Sequence, residues 1–286
     1  MPKDIKSYTF KPGFSYEIEI LPVEKLYNEH HNLVNQPHRT DFYHVFWFQQ
    51  APPEHLVDFK PLRNLNNSFV FINKHQVQVF HKKTKVCGKL LLFTDVFFAK
   101  SIHDLQFIKS TILFNDFDTT IIKVPGKSHL LIDCFTGIEE ELMKKEDGYT
   151  YDILKNLLHT FLLQSERELR RLGHQDIKKG ADLDYTILFK DLLNNQFKTV
   201  RSVNGYADQM NVSEKKLTNA TKKIAGRTPK ELIDDRVMLE AKRLLTHTNH
   251  SIKEIGYELG FEEPTNFIKF FKKHAAKTPI EFREMH

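Results

Sequence analysis

Two hydrophobic patterns divide the chain. Up to about residue 135, short runs of aromatic and β-branched residues (Phe42–Phe48, Phe69–Ile72, Val77–Phe80, Leu90–Phe93 and Thr120–Val124) are separated by Pro, Asn and Gly. Such side chains fit a pleated surface, and turn residues at short intervals predict an antiparallel barrel or sandwich rather than βαβ units. Along the first run, alternation sets Phe42, His44, Phe46 and Phe48 on one face and Tyr43, Val45 and Trp47 on the other.

From about Ile138 the β-type runs stop and apolar residues recur at intervals of three and four. Leu154, Leu158, Phe161, Ser165, Leu169 and Leu172 form one stripe of a helix, with Glu166, Arg167, Arg170 and Arg171 largely off it. The stripe is either a dimer seam or the face that docks onto the β-rich part, and its length leaves both open. A polar run bracketed by glycines, Gly173-His174-Gln175-Asp176-Ile177-Lys178-Lys179-Gly180, follows as the best interdomain linker. The expected division is a β-rich part over residues 1–137, a helical segment over 138–172, a linker over 173–184 and an all-α part over 185–286.

The tail contains a repeat. Lys222-Lys223-Ile224-Ala225-Gly226-Arg227-Thr228-Pro229 returns fifty residues later as Lys272-Lys273-His274-Ala275-Ala276-Lys277-Thr278-Pro279, identical at five of eight positions. Upstream of the first copy, Ser202 can cap a helix bearing Val203, Tyr206, Ala207 and Met210. Asn211-Val212 makes a turn, and Ser213 caps a second helix that buries Leu217, Ala220, Thr221 and Ile224 before Gly226. Upstream of the second copy, Ser251-Ile252-Lys253-Glu254 is a capping box for a helix through Ile255, Gly256 and Leu259. Gly260 ends it, Pro264 suits the first turn of the next helix, and Phe267, Phe270, Phe271 and His274 share that helix's inner face. Both copies read as helix-turn-helix units, the second turn one residue longer. Between them Lys230–Thr246 predicts one helix of roughly 25 Å, suited to holding two helices near the ~34 Å repeat of the DNA major groove.

The outer faces carry the candidate chemistry. The first leaves Lys215, Lys216, Thr218, Asn219 and Lys222 outside; the second leaves Thr265, Asn266, Ile268, Lys269, Lys272 and Lys273. Lysines reach phosphates, amides and hydroxyls read base edges, and Ile268 suits a thymine methyl. A single lysine-rich helix face is usually just solvated, but two copies of the same pattern make that account weak.

Charge enters through its location. The net +5 divides into 24 basic against 22 acidic residues over 1–180 and 18 against 15 over 181–286, so the bulk value decides little. From Glu214 to Lys230, however, six charged residues are positive and one negative, and from Thr265 to Lys277 all four are lysine. A length of 286 residues fits about two domains, and 40% hydrophobic with 28% charged residues fits a globular protein. No run of about twenty apolar residues offers a membrane span. Met1-Pro2-Lys3-Asp4-Ile5-Lys6 has no signal-like apolar core, and Cys87 and Cys134 are too few for a disulfide framework. The expected location is the cytoplasm, with no membrane partner. No phosphate loop, Gly-x-Ser-x-Gly, His-Glu-x-x-His or Cys-x-x-Cys motif occurs, so no catalytic residue, cofactor or metal is expected. Lys82-Lys83-Thr84-Lys85 reads as a solvated loop, and His30-His31 as surface or satisfied core.

Ser251-Ile252-Lys253-Glu254-Ile255-Gly256-Tyr257-Glu258-Leu259-Gly260-Phe261, followed by Pro264, Asn266-Phe267, Phe270-Phe271-Lys272-Lys273 and Thr278-Pro279, resembles the AraC/XylS family of bacterial transcription regulators. The resemblance covers about residues 185–286 and implies promoter binding and control of transcription initiation, with base-reading positions at Thr218, Asn219, Thr265, Asn266 and Lys269. Gly256 replaces a usual alanine, Ala276 a usual glycine, and Asn219 and Lys269 stand where arginine is common, which puts the operator sequence in question. The implied partners are double-stranded promoter DNA and a second copy of the chain, with RNA polymerase and an unidentified small effector as further candidates.

A cupin-type β-barrel often precedes such a tail, and His38-Arg39-Thr40-Asp41-Phe42-Tyr43-His44 resembles the first cupin motif. His55, Phe71-Ile72 and Gln76-Val77 continue the likeness more weakly. The expected fold is thus a cupin-like β-barrel followed by an all-α pair of helix-turn-helix units, with His38, His44 and Phe46 as effector-binding candidates. The alternative is a cupin metalloenzyme with an accessory DNA-binding tail. Against it, Thr40 and Gln78 stand where further ligands belong, leaving His38 and His44. A nonspecific architectural DNA binder is the other rival.

Overall fold

The structure, a computed structural model, describes residues 4–10, 15–28, 34–80, 85–114, 119–124, 130–172 and 180–285. His30-His31, Lys82 to Thr84 of the charge run and Gly173 to Lys179 of the expected linker lie outside the described residues. The chain forms two compact units, Ile5–Asp176 and Ile177–His286, and Asp4 belongs with the second.

The described strands, all in the first unit, are β1 (Lys6–Tyr8), β2 (Ile18–Pro22), β3 (His38–Thr40), β4 (Tyr43–Gln50), β5 (His55–Val57), β6 (Lys60–Leu62), β7 (Ser68–Ile72), β8 (Gln78–Val79), β9 (Cys87–Phe93) and β10 (Thr120–Lys123). One sheet has the order β10-β7-β4-β9-β2 and is antiparallel throughout. The other has the order β1-β3-β8-β5-β6, with β1 parallel to β3 and its other pairs antiparallel. Among the described residues no ladder joins the two sheets, so the closure expected of a barrel is not formed by these pairings. Strands of two or three residues in the second sheet are too short to stagger round and meet the longer ones of the first.

Alternation along β4 holds. Phe46 and Phe48 face a core shared with Val57, Val70, Ile72, Phe80 and Leu90. Tyr43, Val45 and Trp47 face a second core built with helices. With both faces covered, β4 reads as a nearly continuous apolar run, as central strands do. Gly88, paired with Phe48, admits nothing larger, because a Cβ there would stand 2.2 Å from the Trp47 carbonyl oxygen.

Five described helices belong to this unit: α1 (Val23–Asn28), α2 (Asp95–Phe98), α3 (Ile102–Ser110), α4 (Leu130–Met143) and α5 (Thr150–Arg171). The helical segment thus opens at Leu130, ahead of the change expected near Ile138. Leu154, Leu158, Phe161 and Leu169 of α5 are buried with Trp47, Phe69, Phe71 and Phe135. Phe161 meets Phe69 at 5.3 Å between ring centres, and Trp47 meets Phe135 at 5.5 Å. The stripe is therefore a docking face within its own unit. Of the stripe's residues only Leu172, at its end, is exposed.

The second unit is helical: α6 (Ala181–Gln196), α7 (Val203–Gln209), α8 (Glu214–Ala225), α9 (Pro229–His247), α10 (Ile252–Glu258), α11 (Pro264–Ala275) and α12 (Pro279–Glu284). Ala181–Asp184, expected within the linker, are instead the first turn of α6. The connecting helix α9 runs the whole of Pro229–His247, about 28 Å at ~1.5 Å per residue. No helix among the described residues is long and apolar enough to cross a membrane.

Candidate nucleic-acid interface

Two helix pairs, α7 with α8 and α10 with α11, share their turn and exit geometry, although α8 opens on a serine cap and α11 on Pro264 without a side-chain cap. Ser202 and Ser213 cap the first pair, their hydroxyls accepting from the amides of Gly205 (3.1 Å) and Lys216 (3.2 Å). Ser251 and Glu254 form the expected capping box on α10. Each turn passes through one left-handed residue, Asn211 (φ 52°) and Gly260 (φ 79°). Val212 then donates back to the Ala207 carbonyl and Phe261 to that of Gly256, both at 3.0 Å, which satisfies carbonyls left open at the helix ends. The repeated octapeptide is the exit from each outer helix. Gly226 and Ala276 turn left-handed at φ 68° and 55°, and Thr228/Glu231 and Thr278/Glu281 then form capping boxes with proline in the first turn.

Leu217, Ala220 and Thr221 of α8 are buried, as are Phe267 and Phe271 of α11. Ile224 and Phe270 are only half-buried, and His274, expected inside, lies at the rim with its ring 4.6 Å from that of Phe270 and Nε2 3.7 Å from Asp234. The opposite faces are open. Lys215, Lys216, Asn219 and Lys222 on α8 are exposed, as are Thr265, Asn266, Ile268, Lys269, Lys272 and Lys273 on α11; Thr218 is half-buried. Among the described residues Lys215, Lys222, Lys269, Lys272 and Lys273 form no ion pair. Two other α8 lysines, Lys216 on that face and Lys223 beside it, do have partners. Lys216 stands 4.5 Å over the Tyr185 ring, and Lys223 pairs with Asp182 at 2.5 Å.

Connecting helix α9 carries a buried ionic cluster that the apolar pattern did not reveal. Glu240 accepts from Arg236 (3.1 Å) and Arg243 (3.2 Å), all three nearly inaccessible. Arg236 also donates to Asn194 of α6 at 2.9 Å and stacks 3.9 Å over Phe197. At the far end, Arg283 beyond the second pair donates to the carbonyls of Leu245 (3.2 Å) and His250 (2.6 Å).

In the first unit a cavity of about 370 Å³ lies between Tyr8, Phe10, Leu21, Leu26, Val34, Phe42, Phe80, Leu90 and Leu92, with Glu19, Lys25, Thr40, His38 and His44 among its polar walls. Phe46 does not line it, but stacks behind His44 at 6.1 Å. Burial, with His38 and His55 adding to the fall, holds the His44 imidazole down at about 3. Burial also lowers His38, partly offset by its hydrogen bond to the Gln36 carbonyl. Gln78 bridges the interior, donating to His44 Nδ1 (3.4 Å) and accepting from His55 Nε2 (3.3 Å). Among the described residues no group of three or more His, Cys, Asp or Glu side chains could hold a metal ion.

A family model described as "Helix-turn-helix domain" matches residues 206–285, the span that holds both helix pairs. This tail is a helix-turn-helix domain of the AraC/XylS family. The Msm operon regulatory protein of Streptococcus mutans is 28% identical over 149 residues, 52% of this chain and 49% of its own length. The lactose operon transcription activator of Staphylococcus xylosus is 31% identical over 93 residues, 32% of this chain and 33% of its own. The chain therefore spans about half or less of these relatives. Among solved structures, ToxT from Vibrio cholerae O395 aligns over 99% of this chain and 96% of its own at 16% identity, with a TM-score of 0.43. The AraC/XylS family is one of transcription regulators, not enzymes.

Proposed function

We propose that the chain is a sequence-specific transcription regulator of the AraC/XylS type, with α8 and α11 entering adjacent major grooves of promoter DNA. The observation that carries this is the pair of exposed basic faces, each bearing hydroxyl and amide groups, on like helix pairs joined by a helix of about 28 Å. Lys215, Lys216, Lys222, Lys269, Lys272 and Lys273 supply phosphate affinity, whereas Thr218, Asn219, Thr265, Asn266, Ile268 and Lys269 meet base edges. Residues 185–286 are the DNA-binding part on this account. Residues 1–137, with the helices that follow, are a cupin-like sensing part whose cavity takes a small, mainly apolar effector against His38 and His44. A second copy of the chain and RNA polymerase are the protein partners, the second copy meeting a face other than the Leu154–Leu169 stripe.

Binding of purified chain to a site selected from random DNA, and to variants of that site, tests the assignment. Asn266→Ala is expected to cost roughly 1–3 kcal/mol at one base pair and relax preference there, while Lys273→Ala weakens all sequences alike. Equal loss on every sequence for Asn266→Ala would remove it from the base-reading set.

A further inference from the structure

The four residues Lys198–Arg201 leave α6 and lead into α7; the Thr199 hydroxyl donates back to the Gln196 carbonyl at 3.1 Å, but Lys198 and Arg201 reach the other helix pair. Lys198 Nζ pairs with Glu258 Oε1 at the end of α10, 3.1 Å away. Arg201 donates to the Leu259 carbonyl and lays its guanidinium 3.8 Å over the Phe261 ring. Between those contacts, Gly260 approaches so closely that a Cβ on it would stand 1.8 Å from the Lys198 carbonyl oxygen. The same segment is held to the first pair, because the Tyr206 hydroxyl of α7 donates to the Val200 carbonyl at 2.9 Å. Its upstream end is held to α9 through Phe197 beneath Arg236.

We propose that Lys198–Arg201 is a strap fixing the distance and rotation between α8 and α11, with Arg201 as its positioning residue, so that the protein measures the spacing of two half-sites as well as reading them. This rests on the DNA-binding reading above. Each pair also packs on α9, the second through His274 beside Asp234 and through Arg283 on the Leu245 carbonyl, but the strap runs directly from one pair to the other. The strap closes a ring through first pair, connecting helix and second pair, and a closed ring of packed elements cannot follow a displaced half-site. One added base pair shifts that half-site by about 3.4 Å and rotates it by about 35°. Lysine is no substitute for Arg201, since the stack needs a flat guanidinium.

The full chain is used to select sites from random duplex DNA, and the enriched site is remade with one or two base pairs inserted or deleted between its halves. Wild type is expected to lose about tenfold or more per step and Arg201→Ala about threefold or less, with each half-site alone bound as by wild type. Arg201→Lys should show the same widened tolerance, and circular dichroism checks the fold; should the alanine variant not fold, the lysine variant gives the reading. Spacing profiles that match wild type overturn the strap. Weakened binding to a single half-site overturns the positioning role, because Arg201 would then only hold the second pair together. If wild type enriches no sequence at all, the DNA-binding reading itself fails, a result distinct from an unchanged spacing profile.

Discussion

Ala276 turns the chain left-handed at φ 55° where the equivalent exit from α8 uses Gly226 at φ 68°. An L-residue with a Cβ pays roughly 1–2 kcal/mol there, whereas glycine's extra freedom in the unfolded chain costs about 0.4–1 kcal/mol. The strain is the larger, so Ala276→Gly should stabilise the second unit by about 0.5–1 kcal/mol in urea unfolding. Gly226→Ala should destabilise it by a similar amount, since a Cβ there meets no atom within 4 Å and only the backbone is strained. A loss of stability for Ala276→Gly would show that the departure from glycine is matched by contacts of the alanine methyl. Gly260 is a different case, because a Cβ would also strike the Lys198 carbonyl.

Among the elements, α9 shows how far sequence pattern reaches. Its apolar residues predicted one helix over Lys230–Thr246, and the helix is Pro229–His247, but the pattern said nothing of Arg236, Glu240 and Arg243. Their spacing of four and three was the available sign, since it stacks them on one helix face; whether that face is buried depends on α6, which periodicity cannot supply. Glu240→Ala leaves two buried guanidiniums without this carboxylate and should cost about 3–5 kcal/mol by thermal or urea unfolding. A cost below ~1 kcal/mol would mean that water reaches the cluster. The helix pairs were legible because caps, breakers and three-and-four periodicity are local. The open pairing of the two sheets, the parallel β1 and β3 contact, and α2 and α3 within the β-rich part were not, since they depend on partners distant in the chain. Of the effector candidates, His38 and His44 reach the cavity and Phe46 does not, because a strand face tells which residues point inward and not which of them meet empty space. The capping boxes also set a pH dependence. Backbone hydrogen bonds from Thr228, Ser251 and Thr278 hold Glu231, Glu254 and Glu281 below the usual carboxylate value of 4.5. A carboxyl with a lowered folded-state value stabilises above its unfolded value and loses that contribution as pH falls through the folded one. Replacing all three with glutamine should therefore flatten the fall in melting temperature below about pH 4.5; an unchanged acid limb would place the sensitivity in other groups.

For the whole molecule, the two halves differ little in net charge, so attraction to DNA depends on where lysines stand rather than on the sum of +5. Each phosphate neutralised on duplex DNA releases condensed counterions, and the logarithm of affinity falls against that of salt by about 0.9 per contact. Lys215, Lys222, Lys269, Lys272 and Lys273 are exposed, and among the described residues they form no ion pair, so each can give its charge to a phosphate without first losing a carboxylate. Lys223 has Asp182 at 2.5 Å and must exchange it. Between about 50 and 200 mM salt, Lys273→Ala should reduce the slope by about 1, and Lys223→Ala by clearly less. Affinities of the full chain for one selected site, measured across that range, decide the matter. If Lys223→Ala flattens the slope as much as Lys273→Ala does, the Asp182 pair opens on binding and α6 takes part in docking. If the slope survives replacement of all five open lysines, DNA lies against another surface, and α8 and α11 lose their assignment as the reading helices.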